Sequence, residues 1–151
     1  MKLKSLFTAG LLCCGSALAH SPEQLKPLVF ESKYDFAQTI NVLDSTFVEK
    51  GMTVFAHIDH TAAAKNVGLE MQPATVIIYG APKAGTPLMV KDPSLALQLP
   101  LKVLVTETQP GKVEVMLNSA EQVVERSQTA YDDVKNSLAK AEKLIQTTVS
   151  K

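Results

Sequence analysis

Cysteine is nearly absent from this sequence, so no disulfide framework is expected. The two cysteines, Cys13 and Cys14, both lie within the first 19 residues. Those residues combine a short basic start, an apolar stretch and the small-residue pattern Ala17–Ala19, which is typical of a secretory signal peptide. Cleavage after Ala19 would remove both cysteines, so the exported domain would depend on its hydrophobic core. A lipoprotein is the alternative, but the residues immediately before the cysteines are leucines rather than the small residues of a lipobox.

Long apolar runs and blocks of like charge are also lacking. The apolar stretch at the start is shorter than the about 20 residues that a spanning helix needs, and no second one follows. The 132 residues after the predicted signal peptide carry 13 basic and 15 acidic side chains, a net charge of −2. Nucleic-acid binding and adsorption to anionic membranes each usually need a basic patch, so we expect neither. The expected location is periplasmic or secreted, in a bacterium.

Catalytic and cofactor motifs are missing as well. No serine stands in a G-x-S-x-G turn, and residues 20–151 contain no cysteine nucleophile. The Gly80–Thr86 loop lacks the Gly-Lys-Ser/Thr ending of a phosphate-binding Walker A loop. No cofactor is expected. The leading hypothesis is an exported, non-catalytic module that binds a small ligand or a protein partner. The alternative is a small metal-binding protein or hydrolase-like enzyme.

The periodicity that is present predicts one α+β domain, with an antiparallel or mixed sheet of about five strands packed against helices. Residues 20–34 are assigned to a lead-in and first strand, residues 35–128 to the α+β domain, and residues 129–151 to an amphipathic helix. The predicted inner elements are a helix from Asp35 to Gly51, strands at Thr53–Asp59 and Ala74–Tyr79, a short helix at Ala62–Val67, and a hairpin of Lys102–Thr108 and Lys112–Asn118.

Three further expectations concern packing. Gly80–Pro87 is predicted to be irregular because it holds two prolines and two glycines, with a short helix starting at Pro87 and capped by Thr86. The last helix is predicted to start with a Thr129 cap and to dock along the domain, or else to pair with a second chain. The sheet face away from the helices is expected to be closed by Gly80–Leu99 or by a second copy, which makes a homodimer a working hypothesis.

Asp59 and His60 form the most specific polar pair. A carboxylate beside an imidazole can supply a general base or a metal ligand. The competing interpretation is structural: Asp59 or Thr61 caps the following short helix, and His60 lies in its first turn. That interpretation is favoured, because adjacent strand residues point to opposite faces of a sheet.

A metal site would need more ligands than this pair. His57 and Asp59 are expected to share a strand face about 6.5–7 Å apart, and His60 or His20 would complete the set. The signal is weak, because no HxxxH helix is present.

The Gly80–Thr86 loop offers a second candidate site. Lys83, Thr86 and free N–H groups would form an anion-binding nest, whereas the structural interpretation is a turn at the edge of the sheet. Because a loop at the end of a central strand is a common ligand site, we expect any pocket to lie where this loop meets Asp59, His60 and Lys102.

The middle of the chain resembles the bacterial domain of unknown function 302 family. The resemblance is carried by Gly51, VFAHIDH (Val54–His60), Ala64, Gly68-Leu69, YGAPKAGTPLM (Tyr79–Met89) and LALQLPLKVLV (Leu95–Val105). It implies a compact α+β domain and brings no reaction, substrate or cofactor. Asp59, His60, Thr86 and Lys102 match the family pattern. Three polar positions of that pattern are altered in this chain, at Ala81, Gln98 and Ser127.

Overall fold

The structure, a computed structural model, describes residues 26–150. Its strands are β1 (Leu28–Glu31), β2 (Thr53–Asp59), β3 (Ala74–Gly80), β4 (Leu101–Gln109) and β5 (Lys112–Leu117). Its helices are α1 (Phe36–Glu49), α2 (His60–Asn66), α3 (Pro82–Lys91), α4 (Ala120–Val124), α5 (Tyr131–Val134) and α6 (Leu138–Val149), with a 3₁₀ helix at Pro93–Leu97. The strands form one antiparallel sheet in the order β1-β5-β4-β3-β2. The predicted α+β class is confirmed. The predicted signal peptide lies outside the described residues, and no helix within them is long and apolar enough to cross a membrane.

Helix α1 begins and ends as its sequence predicts. The Asp35 carboxylate accepts a 2.8 Å hydrogen bond from the Gln38 N–H and caps the first turn. Gly51, just past the end, has a φ of +73°, a conformation that residues with a Cβ rarely adopt. Leu43 and Phe47 are fully buried against the sheet. Local sequence therefore sets the helix, and its apolar stripe fixes which side faces the core.

Helix α6 packs beside α1 on the same sheet face. Ala141, Ile145 and Val149 belong to the main core cluster, so the expected docking of the C-terminal helix is confirmed. The prediction of one continuous helix from a Thr129 cap is wrong, since α5 and α6 are separate. The Thr129 hydroxyl instead donates to Asp92, and so it does not cap α5.

A second apolar cluster lies beside the main core. It consists of residues from the 3₁₀ helix, α4, α5 and the start of α6, namely Leu95, Ala120, Val123, Val124, Val134 and Leu138. Leu88 and Met89 of α3 pack against it. The Gly80–Leu99 segment therefore packs into this second cluster, which differs from the expectation that it closes the far sheet face.

One buried carboxylate ties the second cluster together. Asp92 is 5% exposed, and its side chain accepts from the N–H and hydroxyl of Ser94, the N–H of Gln128 and the hydroxyl of Thr129. These hydrogen bonds join the 3₁₀ helix to the connection between α4 and α5. They also lower the pKa of Asp92 from 3.8 to about 2, with the Ser94 hydroxyl as the largest cause.

The prediction that Gly80–Pro87 is irregular is wrong, because α3 runs through both prolines. Pro82 occupies the first turn, where a missing N–H costs nothing and the ring favours helical φ. The N–H groups of Ala84 and Gly85 both donate to the Ala81 carbonyl at 2.9 Å. Pro87 lies inside the helix, so the predicted start at Pro87 with a Thr86 cap is also wrong.

Strand β2 carries a bulge that shifts its alternation. Val54 pairs with Tyr79, whereas Ala56 pairs with Ile78, so Phe55 is an extra residue. Paired residues share a sheet face. Val54 therefore faces the helices. From Ala56 onward, each residue lies on the sheet face opposite to the one that strict alternation along the sequence predicts.

The sheet face away from the helices bears a continuous apolar row. Its members are opposite one another on neighbouring strands, in the order Val29, Met116, Leu104, Val76 and Ile58. The two ends of the row, Val29 and Ile58, are 50% and 42% exposed. This face is thus apolar and partly open to solvent.

Candidate functional site

A cavity of about 350 Å³ opens between α3, the adjoining strand ends and α6. Sixteen residues line it: Met52, Phe55, Tyr79, Gly80, Ala81, Pro82, Ala84, Gly85, Thr86, Met89, Leu99, Pro100, Leu101, Ser137, Leu138 and Ala141. None of them is Asp, Glu, Lys, Arg or His, so the walls offer no charged acid, base or ion ligand. Ligand sites are commonly concave, mainly apolar and 300–1,000 Å³ in volume, and this cavity meets that description.

The cavity follows from small residues at the junction of β3 and α3. A Cβ on Gly80 would lie 3.4 Å from the Pro100 Cβ and 3.5 Å from a ring carbon of Phe55, in ordinary contact, so these groups lie directly against the Gly80 backbone. One turn into α3, a Cβ on Gly85 would lie 3.6 Å from a methyl of Leu99 in ordinary contact. Small side chains on this side of α3 therefore leave the space open.

Tyr79 forms part of the inner wall. Its ring stacks on Phe47 with centroids 4.0 Å apart and planes inclined by 2°, which holds the ring in place. Tyr79 is 1% exposed. Burial raises its pKa far above the usual value, and the nearby negative charge of Glu142 raises it further. The phenol is therefore protonated at physiological pH and can donate a hydrogen bond.

A smaller, more polar cavity of about 30 Å³ lies beside the first. Glu142, Gln98 and Asn118 supply its polar side chains, whereas Lys102 borders it from β4 but, paired with Ile78, has its side chain on the sheet face opposite Tyr79. The Glu142 carboxylate accepts a hydrogen bond from the backbone N–H of Ala120, which helps fix it there. A space of this size holds about one water-sized group.

The predicted site residues do not converge. Thr86 lines the larger cavity and Lys102 the smaller one, whereas Lys83 is exposed on α3 and lines neither. Asp59 pairs with Thr75 at the far end of β3 from Gly80. Five residues of strand span about 17 Å, so the start of α2 lies well away from the cavity.

Asp59 and His60 take the structural roles that sequence favours. The Asp59 carboxylate accepts a 2.8 Å hydrogen bond from the Ala62 N–H and caps α2, and His60 is the exposed first residue of that helix. His57 instead bonds the carboxylate of Asp44 on α1, at 2.9 and 3.0 Å. Sequence reasoning missed Asp44, because its contact depends on how α1 packs across the sheet.

The structure shows no metal centre within the part of the chain that it describes. Residues 26–150 contain no group of three or more His, Cys, Asp or Glu side chains placed to hold an ion. His20, the fourth predicted ligand beside His57, Asp59 and His60, lies outside the described residues.

Two of the altered family positions border the cavities. Ala81 lines the larger cavity and Gln98 the smaller one. Sequence identifies these positions as departures from the family pattern, but only the fold shows that they line two adjoining cavities. The cavity itself was missed, because its lining comes from residues far apart in the chain.

Comparison with known proteins supports the same family. A sequence model of the family described as "Domain of unknown function DUF302" matches residues 28–149. A solved structure, the uncharacterized conserved protein DUF302 from Bacillus stearothermophilus, superposes with a TM-score of 0.70 over 83% of this chain and 96% of that one. Sequence identity to it is 16%, so this likeness concerns the fold.

The relatives found by sequence are larger proteins than this chain. The chain is 36% identical over 96 residues to a protein of Brucella suis named "Fluoride-specific ion channel FluC 1", and equally so to one of that name from Brucella abortus. The matched stretch is 64% of this chain but 38% and 36% of those proteins. The chain therefore spans little more than a third of these relatives.

Proposed function

Since the chain belongs to the DUF302 family, whose description assigns no activity, we propose its function from the geometry: a non-catalytic module that binds a small, mainly apolar ligand in the larger cavity. The observation that carries this proposal is the cavity's volume of about 350 Å³ within walls that lack charge. A cavity of about 150 Å³ binds benzene, so this one has room for roughly a dozen non-hydrogen atoms.

A binding role fits the chemistry of the walls better than catalysis does. Acid–base catalysis needs a titrating group within hydrogen-bond reach of the substrate. The ionisable residue in the lining of the larger cavity is Tyr79, whose raised pKa makes it a poor general acid, and the Glu142 carboxylate lines only the adjoining smaller cavity, where it would meet one end of the ligand. At two positions where the family pattern is polar, Ala81 and Gln98 provide a methyl group and a neutral amide.

A cavity-filling substitution tests the proposal. We expect 4-butyltoluene to bind the protein in calorimetric titration, and Gly85→Leu to abolish binding because the new side chain occupies the cavity. Gly85→Ala is the matched control: its Cβ meets Leu99 and Met89 at 3.6 and 3.9 Å, in ordinary contact. Both variants replace a helical glycine and so gain helix propensity, but only the leucine fills the space.

Two results would contradict the proposal. The first is absence of binding by the unaltered protein across a series of small aromatic probes. The second is equal binding by Gly85→Leu and Gly85→Ala. If neither result is found, native mass spectrometry of protein purified from its own host should identify the natural ligand, which we expect to be lost from the Gly85→Leu variant.

A metal-binding or hydrolytic role at Asp59 and His60 has less support. The Asp59 carboxylate is engaged in capping α2, and His57 is engaged with Asp44. Metal analysis of the purified protein tests this alternative. A stoichiometric metal that is lost on His57→Ala would favour it over the ligand-binding module.

A second candidate function rests on the Brucella relatives, which are named fluoride-specific ion channels. We propose that the domain acts beside such a channel, as a partner protein that modulates fluoride flux. The test is fluoride efflux from liposomes that hold the Brucella suis channel with or without its matched 96 residues. Deletion should change efflux, and adding this protein should reverse the change. Unchanged efflux in both cases would reject the role.

For assembly we propose a homodimer through the open sheet face. The apolar row centres on Leu104 and Met116, while Glu114 lies towards one end of the strands and Lys102 towards the other. A two-fold axis along the row would place the Lys102 end of each copy over the Glu114 end of its partner. Sedimentation should show a dimer that Met116→Glu dissociates, whereas Glu121→Gln, on exposed α4 surface, leaves it intact. A monomeric unaltered protein would refute the dimer.

We also propose export with removal of residues 1–19. The support is the sequence pattern alone. Amino-terminal sequencing of protein recovered from a periplasmic extract should begin at His20. Recovery of the full-length chain from the cytoplasm would contradict export.

A further inference from the structure

The two cavities adjoin at one group of residues. Tyr79, Leu101 and Leu138 line both the larger apolar cavity and the smaller polar one. A ligand whose apolar body fills the first would therefore have the polar groups of the second close to one of its ends. Tyr79 is the residue of this shared wall that can form a hydrogen bond through its side chain.

The Tyr79 hydroxyl is available to a ligand. Within residues 26–150 the Tyr79 side chain forms no hydrogen bond. Every fully buried side-chain nitrogen or oxygen in the same residues has a hydrogen-bond partner. The hydroxyl therefore borders accessible space rather than closed protein. Tyr79 and Glu142 both line the smaller cavity, so the tyrosine lies beside that carboxylate.

Resting on the proposed function, we infer that the ligand is an apolar molecule with a single uncharged hydroxyl at one end, which hydrogen-bonds Tyr79 beside Glu142. A hydroxyl can accept from Tyr79 and donate towards the carboxylate, so one group satisfies both partners. Glu142 lines the smaller cavity, so its carboxylate would repel an anionic end group. An ammonium group has no lone pair to accept from Tyr79, so a neutral hydroxyl suits both partners best.

The test compares probes of the same shape. 4-Butylphenol and 4-butyltoluene differ by a hydroxyl in place of a methyl group. In a uniformly apolar cavity the toluene would bind tighter, because the phenol loses its hydrogen bonds to water. We expect the reverse. The phenol should bind at least about fivefold tighter than the toluene, because its hydroxyl forms a hydrogen bond with the buried Tyr79. 4-Butylbenzoate, an anion, should bind more weakly than the phenol.

A variant that lacks the Tyr79 hydroxyl tests whether that group causes the preference for the phenol. Tyr79→Phe keeps the ring that stacks on Phe47, so 4-butyltoluene should bind within about twofold of the unaltered protein while the preference for the phenol is lost. Tyr131→Phe, which removes a hydroxyl from a residue 40% exposed on α5, should keep the preference.

The outcomes distinguish failure of the hydroxyl recognition by Tyr79 from failure of ligand binding in the cavity. If both probes bind alike, if the benzoate binds tightest, or if Tyr79→Phe keeps the preference, the hydroxyl inference is wrong while the cavity remains a binding site. If no probe binds, the proposed function and this inference both fail.

Discussion

Leu95 provides the sharpest test of how the second cluster contributes to stability. It is fully buried at the centre of that cluster, whereas Leu97, two residues later on the same 3₁₀ helix, is 82% exposed. Truncation of a buried leucine to alanine removes apolar burial and leaves a cavity, and it costs about 2–5 kcal/mol. We therefore expect Leu95→Ala to lower the free energy of unfolding by about 3 kcal/mol. Leu97→Ala should lower it by less than about 0.5 kcal/mol.

The assay is urea denaturation followed by circular dichroism, with thermal unfolding as a second measure. The midpoint should fall for Leu95→Ala with the slope m unchanged, and Tm should fall by roughly 12 °C at about 4 °C per kcal/mol. The packing argument is refuted if the two variants agree within about 0.5 kcal/mol. A biphasic transition in Leu95→Ala would show that the second cluster unfolds as a unit of its own.

The remaining predictions concern single polar contacts. Because hydrogen bonds, above all from the Ser94 hydroxyl, lower the pKa of Asp92 from 3.8 to about 2, its stabilising effect is present above pH 4 and lost as pH falls from about 4 to 2. Asp92→Asn should remove that part of the acid dependence in urea titrations at each pH. Ser119→Ala should cost about 1 kcal/mol, since the Ser119 side chain caps α4, and a second serine-to-alanine change at exposed Ser45 should cost far less. His57→Ala should cost less than about 1 kcal/mol, because His57 and Asp44 are 41% and 31% exposed.

The elements that sequence predicts well are those set by neighbouring residues. The Asp35 cap and the Gly51 stop of α1 depend on contacts within a few positions of the chain. The same holds for the β4–β5 hairpin, in which Gly111 has a φ of +77° as the Pro-Gly turn signal predicts. The sheet class follows once these elements are recognised.

The failures arise where a local rule meets a longer-range contact. Pro87 is a helix breaker by local rules, yet α3 continues through it because Leu88 and Met89 pack on the second cluster. Thr129 has the side chain of a helix cap, but the buried carboxylate of Asp92 takes its hydroxyl. In each case burial available only in the folded domain outweighs the local preference.

The candidate site failed to emerge from sequence for a related reason. Polar residues such as Asp59 and His60 attract attention in a sequence, whereas an apolar cavity is lined by residues that look like ordinary core. Tyr79 is part of an apolar strand, and its role depends on Leu138 and Glu142 from α6, roughly sixty positions later. Sequence names Thr86 and Lys102 as candidates, but it does not show that they line two separate cavities.

Ligand binding and the second cluster are physically linked through shared residues. Met89, Leu99, Leu101 and Leu138 line the larger cavity and also pack in or against the second cluster. A ligand that binds only the folded protein at about 100 times its Kd adds about 2.7 kcal/mol of stability, which is close to the loss expected for Leu95→Ala. A saturating ligand should therefore restore much of that variant's stability if its cavity walls keep their positions. A Leu95→Ala protein that no longer binds would show instead that the cluster holds the cavity in shape, so the rescue experiment separates lost packing energy from lost architecture.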